Sequence, residues 1–127
     1  LAIIFYPAHY LHHVSIVYVS AHPSIPSGQY EEAVRMVLDN APVNSKDVGL
    51  KEAASALILR GMSSIRTNQI DAFVGGLNQK QLDTLMKYIY RGFQKPVDIT
   101  CPALLTWHEK VWKLSSICRV LTDRQVV

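Results

Sequence analysis

Cysteine and charge are both scarce in this chain. Only two cysteines, Cys101 and Cys118, occur among 127 residues, and neither lies in a Cys-x-x-Cys or zinc-type spacing. This excludes a disulfide-stapled scaffold and predicts free thiols in a reducing compartment. Asp, Glu, Lys and Arg make up 18% of the residues, which is light for a monomeric protein. A surface poor in charge keeps apolar area that a partner can cover.

Familiar catalytic and nucleotide-binding motifs are missing as well. The sequence has no P-loop, no G-x-S-x-G, no H-E-x-x-H and no G-x-G-x-x-G. The net charge is +3 and the isoelectric point is near 9.0, but the 13 Lys and Arg residues are spread along the chain without a run. The patch that reads nucleic-acid phosphates is therefore absent. We expect no catalytic residue, cofactor, metal site or nucleic-acid partner.

The first 26 residues differ in composition from all that follow. Residues 1–26 contain no Asp, Glu, Lys or Arg, yet they hold four of the five histidines and three of the six tyrosines. A transmembrane helix needs about 20 mostly apolar residues, and Pro7 with the histidines interrupts this one. No basic start and cleavage site mark a signal peptide, and no cysteine or carboxylate joins the histidines to complete a zinc site. We interpret residues 1–26 as an atypical, irregular segment outside the helical body.

Helical periodicity governs the chain from Ser27 onward. The apolar spacing predicts about six amphipathic helices with short connections, and no strand is indicated after residue 26. We therefore expect an all-α protein, either a compact bundle or a short superhelix, with residues 27–127 as one helical domain. The small residues Ala53, Ala54 and Gly61 indicate that a second helix approaches the second predicted helix closely.

Residues 78–93 are expected to form the central helix. Asn78 and Gln81 predict a capping box at its start, and Gly92 predicts a left-handed residue at its end. Asp83 and Lys87 are spaced to form an ion pair on its solvent side. Its apolar stripe and the stripes of neighbouring helices predict the following core residues: Leu57, Leu82, Leu85, Met86, Ile89, Phe93, Leu104 and Trp107.

One histidine lies beside a carboxylate, as a catalytic base often does. His108 and Glu109 are consecutive, however, and consecutive residues on a helix point about 100° apart, so Glu109 cannot orient His108. We interpret His108 as a core or interface histidine whose ring nitrogen binds a backbone carbonyl. A small enzyme that uses His108 stays open as an alternative.

Several large side chains fit the core less well than the stripes do. Tyr90 flanks the apolar stripe of its helix, and Arg91 lies opposite that stripe. Aromatic residues and arginine are the types that anchor protein interfaces. We predict a partner interface that includes Tyr88, Tyr90, Arg91, Trp112 and Arg119.

Several stretches of this sequence resemble one protein family. LMKYIYRGF at residues 85–93, LLTWHEK at 104–110 and RVLTDR at 119–124 resemble subunit 5 of the actin-related protein 2/3 complex. APVNSK at residues 41–46 is similar to a turn of the same family. The resemblance covers about residues 28–127, and the matches occur in the same order as in the family.

The resemblance implies a non-enzymatic structural subunit of the assembly that nucleates branched actin filaments. It implies docking on the helical scaffold of subunit 4, beside the β-propeller subunit 1, with contact to actin-related protein 2 and indirect contact to the actin filament. It also implies a cytoplasmic, cytoskeletal location, no cofactor and no membrane span. From the residues alone, the alternative is a free-standing helical adaptor that binds a partner helix in a hydrophobic groove.

Two stretches depart from the family pattern. The family carries an acidic, polar arm where this chain has the uncharged residues 1–26. It also carries a longer, glycine-containing connection where this chain has residues 111–115, which include no glycine. We therefore expect residues 1–26 not to reproduce the salt bridges of such an arm, and we expect a tighter turn after the fifth helix.

Overall fold

Six α-helices make up the described part of this chain. The structure, a computed structural model, describes residues 27–43, 46–95, 99–115 and 117–127. Over these residues the all-α prediction is confirmed, since they contain no strand. The interpretation of residues 1–26 lies outside the described residues. The helices are α1 (Ser27–Asp39), α2 (Val48–Ser64), α3 (Thr67–Gly75), α4 (Gln79–Gln94), α5 (Cys101–Trp112) and α6 (Ile117–Thr122).

Helix α4 lies at the centre of the fold. It packs against α1, α2, α5 and α6, while α3 packs on α5. Its inner face is apolar because leucine, methionine and isoleucine recur at helical spacing, and each fully buried side chain of this kind contributes about 1.5–3 kcal/mol. Of the core residues expected from the sequence, Phe93 is half-buried at the edge of the core, and the others are buried: Leu57, Leu82, Leu85, Met86, Ile89, Leu104 and Trp107.

The start of α4 has the predicted capping box. The Asn78 side chain accepts a hydrogen bond from the Gln81 amide at 2.8 Å, and the Gln81 side-chain oxygen accepts from the Asn78 amide at 2.9 Å. The Gln81 side-chain nitrogen also donates to Asp39 at 2.7 Å, which joins the start of α4 to the end of α1. These bonds satisfy amides that a helix leaves unpaired at its first turn.

Two glycines, Gly92 and Gly61, allow close packing of helices in this fold. The prediction that Gly92 ends α4 in a left-handed conformation is wrong, because α4 continues to Gln94 and no described glycine has a positive φ. A Cβ atom at Gly92 would lie 2.9 Å from Leu59 and 3.1 Å from Leu104, so glycine lets α2 and α5 approach α4. Gly61 does the same for α1, as its sequence position predicted, since a Cβ there would meet the Val34 side chain.

Candidate partner interface

Helix α5 carries two apolar stripes, and one of them faces outward. Leu104, Trp107 and Val111 are buried in the core. Leu105 and Trp112, seven residues apart, lie on a neighbouring face and are 59% and 43% exposed. Together with half-buried side chains of α4 and α5, they form an exposed surface that we name the apolar ledge: Tyr90, Phe93, Leu105, His108 and Trp112.

His108 joins the two helices of the apolar ledge. Its Nε2 atom lies 3.1 Å from the Tyr90 hydroxyl oxygen. Its ring packs edge-on against three others, with centroid distances of 5.6 Å to Tyr90, 6.3 Å to Phe93 and 6.2 Å to Trp112. Edge-to-face pairs of this kind contribute about 0.5–1.5 kcal/mol each. The hydrogen bond that we expected from His108 to a backbone carbonyl is therefore formed with a side-chain hydroxyl of α4.

These contacts describe an aromatic packing cluster around His108. The hydrogen-bond partner of His108 is a phenol, and aromatic rings surround its imidazole. Within the described residues, no group of three or more His, Cys, Asp or Glu side chains is arranged to hold a metal ion. In the same part of the chain, no helix has both the length and the apolar character needed to cross a membrane.

Residues 123–127, which we name the tail, lie against α2 and α4 and are held there by basic side chains. Arg91, Lys87 and Lys51 donate hydrogen bonds to the backbone carbonyls of residues 127, 125 and 126, at 2.7, 3.2 and 3.0 Å respectively. Val127 is buried, whereas its neighbour Val126 is 64% exposed. Three cations from two helices therefore fix the path of this tail.

Two ion pairs connect α4 to α6 and to the tail. Lys87 pairs with Asp123, and Arg119 pairs with Asp83. The hydrogen bond from Lys87 holds the pKa of Asp123 below its ordinary value, and a second bond from the Gln125 amide acts in the same direction. Both carboxylates therefore bind cations that are distant in sequence.

The five residues predicted as an interface lie in different environments. Trp112 and Tyr90 belong to the apolar ledge. Arg91 binds the tail and Arg119 binds Asp83, so both already have partners within the chain. Tyr88 has no exposed surface and cannot reach a partner in this structure, so we remove it from the interface. It lies four residues before Gly92, on the buried side of α4.

Two residues of the apolar ledge were missed as interface candidates. Phe93 was assigned to the core alone, and Leu105 was not singled out. The signal for Leu105 was present in the sequence, because Leu105, His108 and Trp112 stand at helical offsets 0, 3 and 7. For Phe93 the sequence contained no such signal, because its partial exposure depends on how α5 packs against α4.

Apolar surface continues from the apolar ledge toward α6 and the tail. A groove of about 240 Å³ begins at Tyr90 and is lined on its other side by Leu121 and Val126. Leu121 is 68% exposed, although it is a large apolar side chain. Lys87 and Arg91 supply charge at the wall of this groove. Tyr90 thus borders both the cluster around His108 and the surface beside the tail.

The fold and this surface are those of a small all-α domain that has a buried core and an exposed apolar face. The family model described as "ARP2/3 complex 16 kDa subunit (p16-Arc)" matches residues 11–127. This chain belongs to that family. The match begins inside residues 1–26, earlier than the boundary near Gly28 that the resemblance suggested.

Individual relatives are similar over most of their length. The chain is 42% identical over 106 residues to actin-related protein 2/3 complex subunit 5-B of Xenopus laevis, covering 81% of this chain and 70% of that protein. It is 41% identical over 103 residues to the human actin-related protein 2/3 complex subunit 5-like protein, with 79% and 67% covered. Subunit 5 of Dictyostelium discoideum is 29% identical over 107 residues, with 82% and 76% covered.

Proposed function

We propose that this chain is a non-enzymatic structural subunit of an actin-related protein 2/3 complex, and that it supports nucleation of branched actin filaments by docking on neighbouring subunits. The observation that carries the proposal is the apolar ledge, where Leu105 and Trp112 remain exposed although the core behind them is closed. Large exposed apolar surfaces mark sites that partners cover. Family membership supports other subunits of that complex as the partners.

The proposed partners are those implied by the resemblance. They are the helical scaffold of subunit 4, the β-propeller subunit 1 and actin-related protein 2, with the actin filament contacted indirectly. The proposed location is the cytoplasm, in association with the actin cytoskeleton. No cofactor takes part in this role. The names of the relatives support membership of the complex, and the ledge supports docking as the means.

The composition of the apolar ledge suits a docking surface. Tryptophan and tyrosine are enriched among residues whose truncation at an interface costs about 2 kcal/mol or more. Tyr90 is also held in place by the hydrogen bond to His108, so it presents a rigid side chain to a partner. A rigid anchor loses less conformational entropy on binding than a mobile one.

The test is the affinity of a ledge variant for the remaining subunits of the complex. We expect Leu105→Ala with Trp112→Ala to weaken association by roughly 30-fold or more, because such anchors contribute about 2 kcal/mol or more when buried. The melting temperature of the isolated chain should fall by only a few degrees, because Leu105 is exposed and Trp112 loses one edge-on contact, with His108. A matched control is Met36→Ala with Val48→Ala, which removes exposed apolar side chains of α1 and α2 (47% and 66% exposed).

Equal affinities for the ledge variant and the control would remove the apolar ledge from the interface. Stable association of the unaltered chain with actin-related subunits also separates this proposal from a free-standing helical adaptor. An adaptor of that kind would purify alone or with an unrelated helix.

A further inference from the structure

An uncharged groove lies between α2, α3 and α5. It has a volume of about 280 Å³, and Met62 and Ile65 of the α2 end, Ile70 of α3, and Ala103 and Thr106 of α5 are among its walls. Among the residues that the structure describes, ten line this groove, and none of those ten is charged. Some of these side chains belong to the core and others are exposed at the rim, so an apolar ligand would extend the core outward.

The path of α1 brings the beginning of that helix close to this groove. A Cβ atom at Gly61 would lie 3.9 Å from the carbonyl oxygen of Tyr30, so Tyr30 packs beside the last part of α2. Tyr30 lies about one turn from the start of α1, and Gly61 lies about one turn from the end of α2. The start of α1 therefore lies beside the end of α2, where Ile65 forms a wall of the groove.

We propose that residues 20–26 of this chain occupy the uncharged groove, with Ile25 as the apolar anchor. The stretch reads SAHPSIP and contains no charged residue. Extended chain spans at most about 3.3–3.6 Å per residue, so these seven residues reach up to roughly 24 Å from the start of α1. Pro26 favours an extended backbone at Ile25, which suits a strand-like ligand laid along a groove.

The charges of two other grooves in the described part of the chain favour this assignment. The groove beside Tyr90 has Lys87 and Arg91 in its wall, and a groove of about 540 Å³ between α1, α4 and α6 includes Asp39 and Asp123. Placing an uncharged segment on those charges would remove water from them without a compensating partner. The uncharged groove imposes no such cost, and docking there keeps apolar residues away from other chains.

Disulfide trapping in the full chain tests this proposal. The background is Cys101→Ser with Cys118→Ser, both of which are exposed cysteines. Ser24→Cys is then combined with Thr67→Cys, at the exposed rim of the groove, or with the matched control Gln69→Cys, which is exposed on the same helix but does not line the groove. We expect the intramolecular disulfide to Thr67→Cys to form at least about tenfold faster than the one to Gln69→Cys, because docking raises the effective concentration of the thiol.

A second variant tests the anchor. Ile25→Glu should lower the rate for the Thr67→Cys pair by roughly tenfold, because a charge in place of an apolar side chain opposes burial in an uncharged groove. Equal rates at the two α3 positions, or a rate that Ile25→Glu does not change, would overturn the proposal. Disulfide-linked dimers in place of the intramolecular bond would assign the segment to a second copy of the chain, and would overturn it equally.

Discussion

Tyr88 provides a test of how this core is built, because its hydroxyl is buried without a hydrogen-bond partner among the described residues. The side chain has no exposed surface, and its hydroxyl oxygen finds no hydrogen-bond partner among the described residues. Burial raises the pKa of Tyr88 well above its ordinary value of 10.0, and the nearby Arg91 charge opposes this only in part. The ring therefore stabilises the core while the hydroxyl costs free energy.

The effect of pH on stability follows from the direction of this shift. Below pH 10 the tyrosine is neutral in both the folded and the unfolded chain, so its environment contributes no pH dependence. Above pH 10 the unfolded chain releases the proton while the folded chain retains it. The free energy of unfolding should then fall by about 1.4 kcal/mol per pH unit, until the pH reaches the raised pKa of the folded state.

Tyr88→Phe removes the hydroxyl and keeps the ring. An unpaired buried hydroxyl costs about 1–3 kcal/mol, so we expect the variant to be as stable as the unaltered chain at pH 7, or more stable by about 1 kcal/mol. At pH 11 its advantage should grow by about 1.4 kcal/mol, because it lacks the titrating group. Denaturant unfolding at both pH values measures this difference, and the lysines that also titrate there are the same in both proteins.

A matched control is Tyr90→Phe, which removes a hydroxyl that does have a partner, His108 at 3.1 Å. That variant should lose about 0.5–1.5 kcal/mol at pH 7, the usual contribution of one hydrogen bond. The reasoning on Tyr88 is refuted if Tyr88→Phe is clearly destabilised at pH 7. It is also refuted if the gap between the two proteins is the same at pH 7 and pH 11.

Two further substitutions test the packing of the core. Trp107→Ala should reduce the free energy of unfolding by about 3–5 kcal/mol, because Trp107 is buried and packs edge-on against Phe73 at 6.0 Å between ring centroids. A melting temperature that barely changes would place Trp107 outside the core. Gly92→Ala should cost about 1–3 kcal/mol, since the added methyl would press on Leu59 and Leu104. Its control is Gly75→Ala, where a Cβ meets no atom within 4 Å; equal stability of these two variants would contradict the close approach at Gly92.

The sequence by itself determined the class of fold and the identity of the central helix. These features depend on neighbours within one or two turns, so they can be recognised in a linear pattern. Asn78 and Gln81 form their capping box because they are three residues apart, and the apolar stripe of α4 is buried because its residues share one face. The close approach at Gly61 was predictable for the same reason, since a small residue in an apolar stripe admits another helix.

Only the tertiary structure decided which distant side chains meet. His108 bonds to Tyr90, eighteen residues earlier, and Arg119 binds Asp83, thirty-six residues earlier. Gly92 could end a helix or admit two neighbours, and the packing of α2 and α5 selected the second role. Periodicity states which face of a helix is apolar, but which helix covers that face, and how far, depends on the relative placement of all the elements. For that reason Tyr88 became part of the core, while Leu105 and Trp112 remained at the surface.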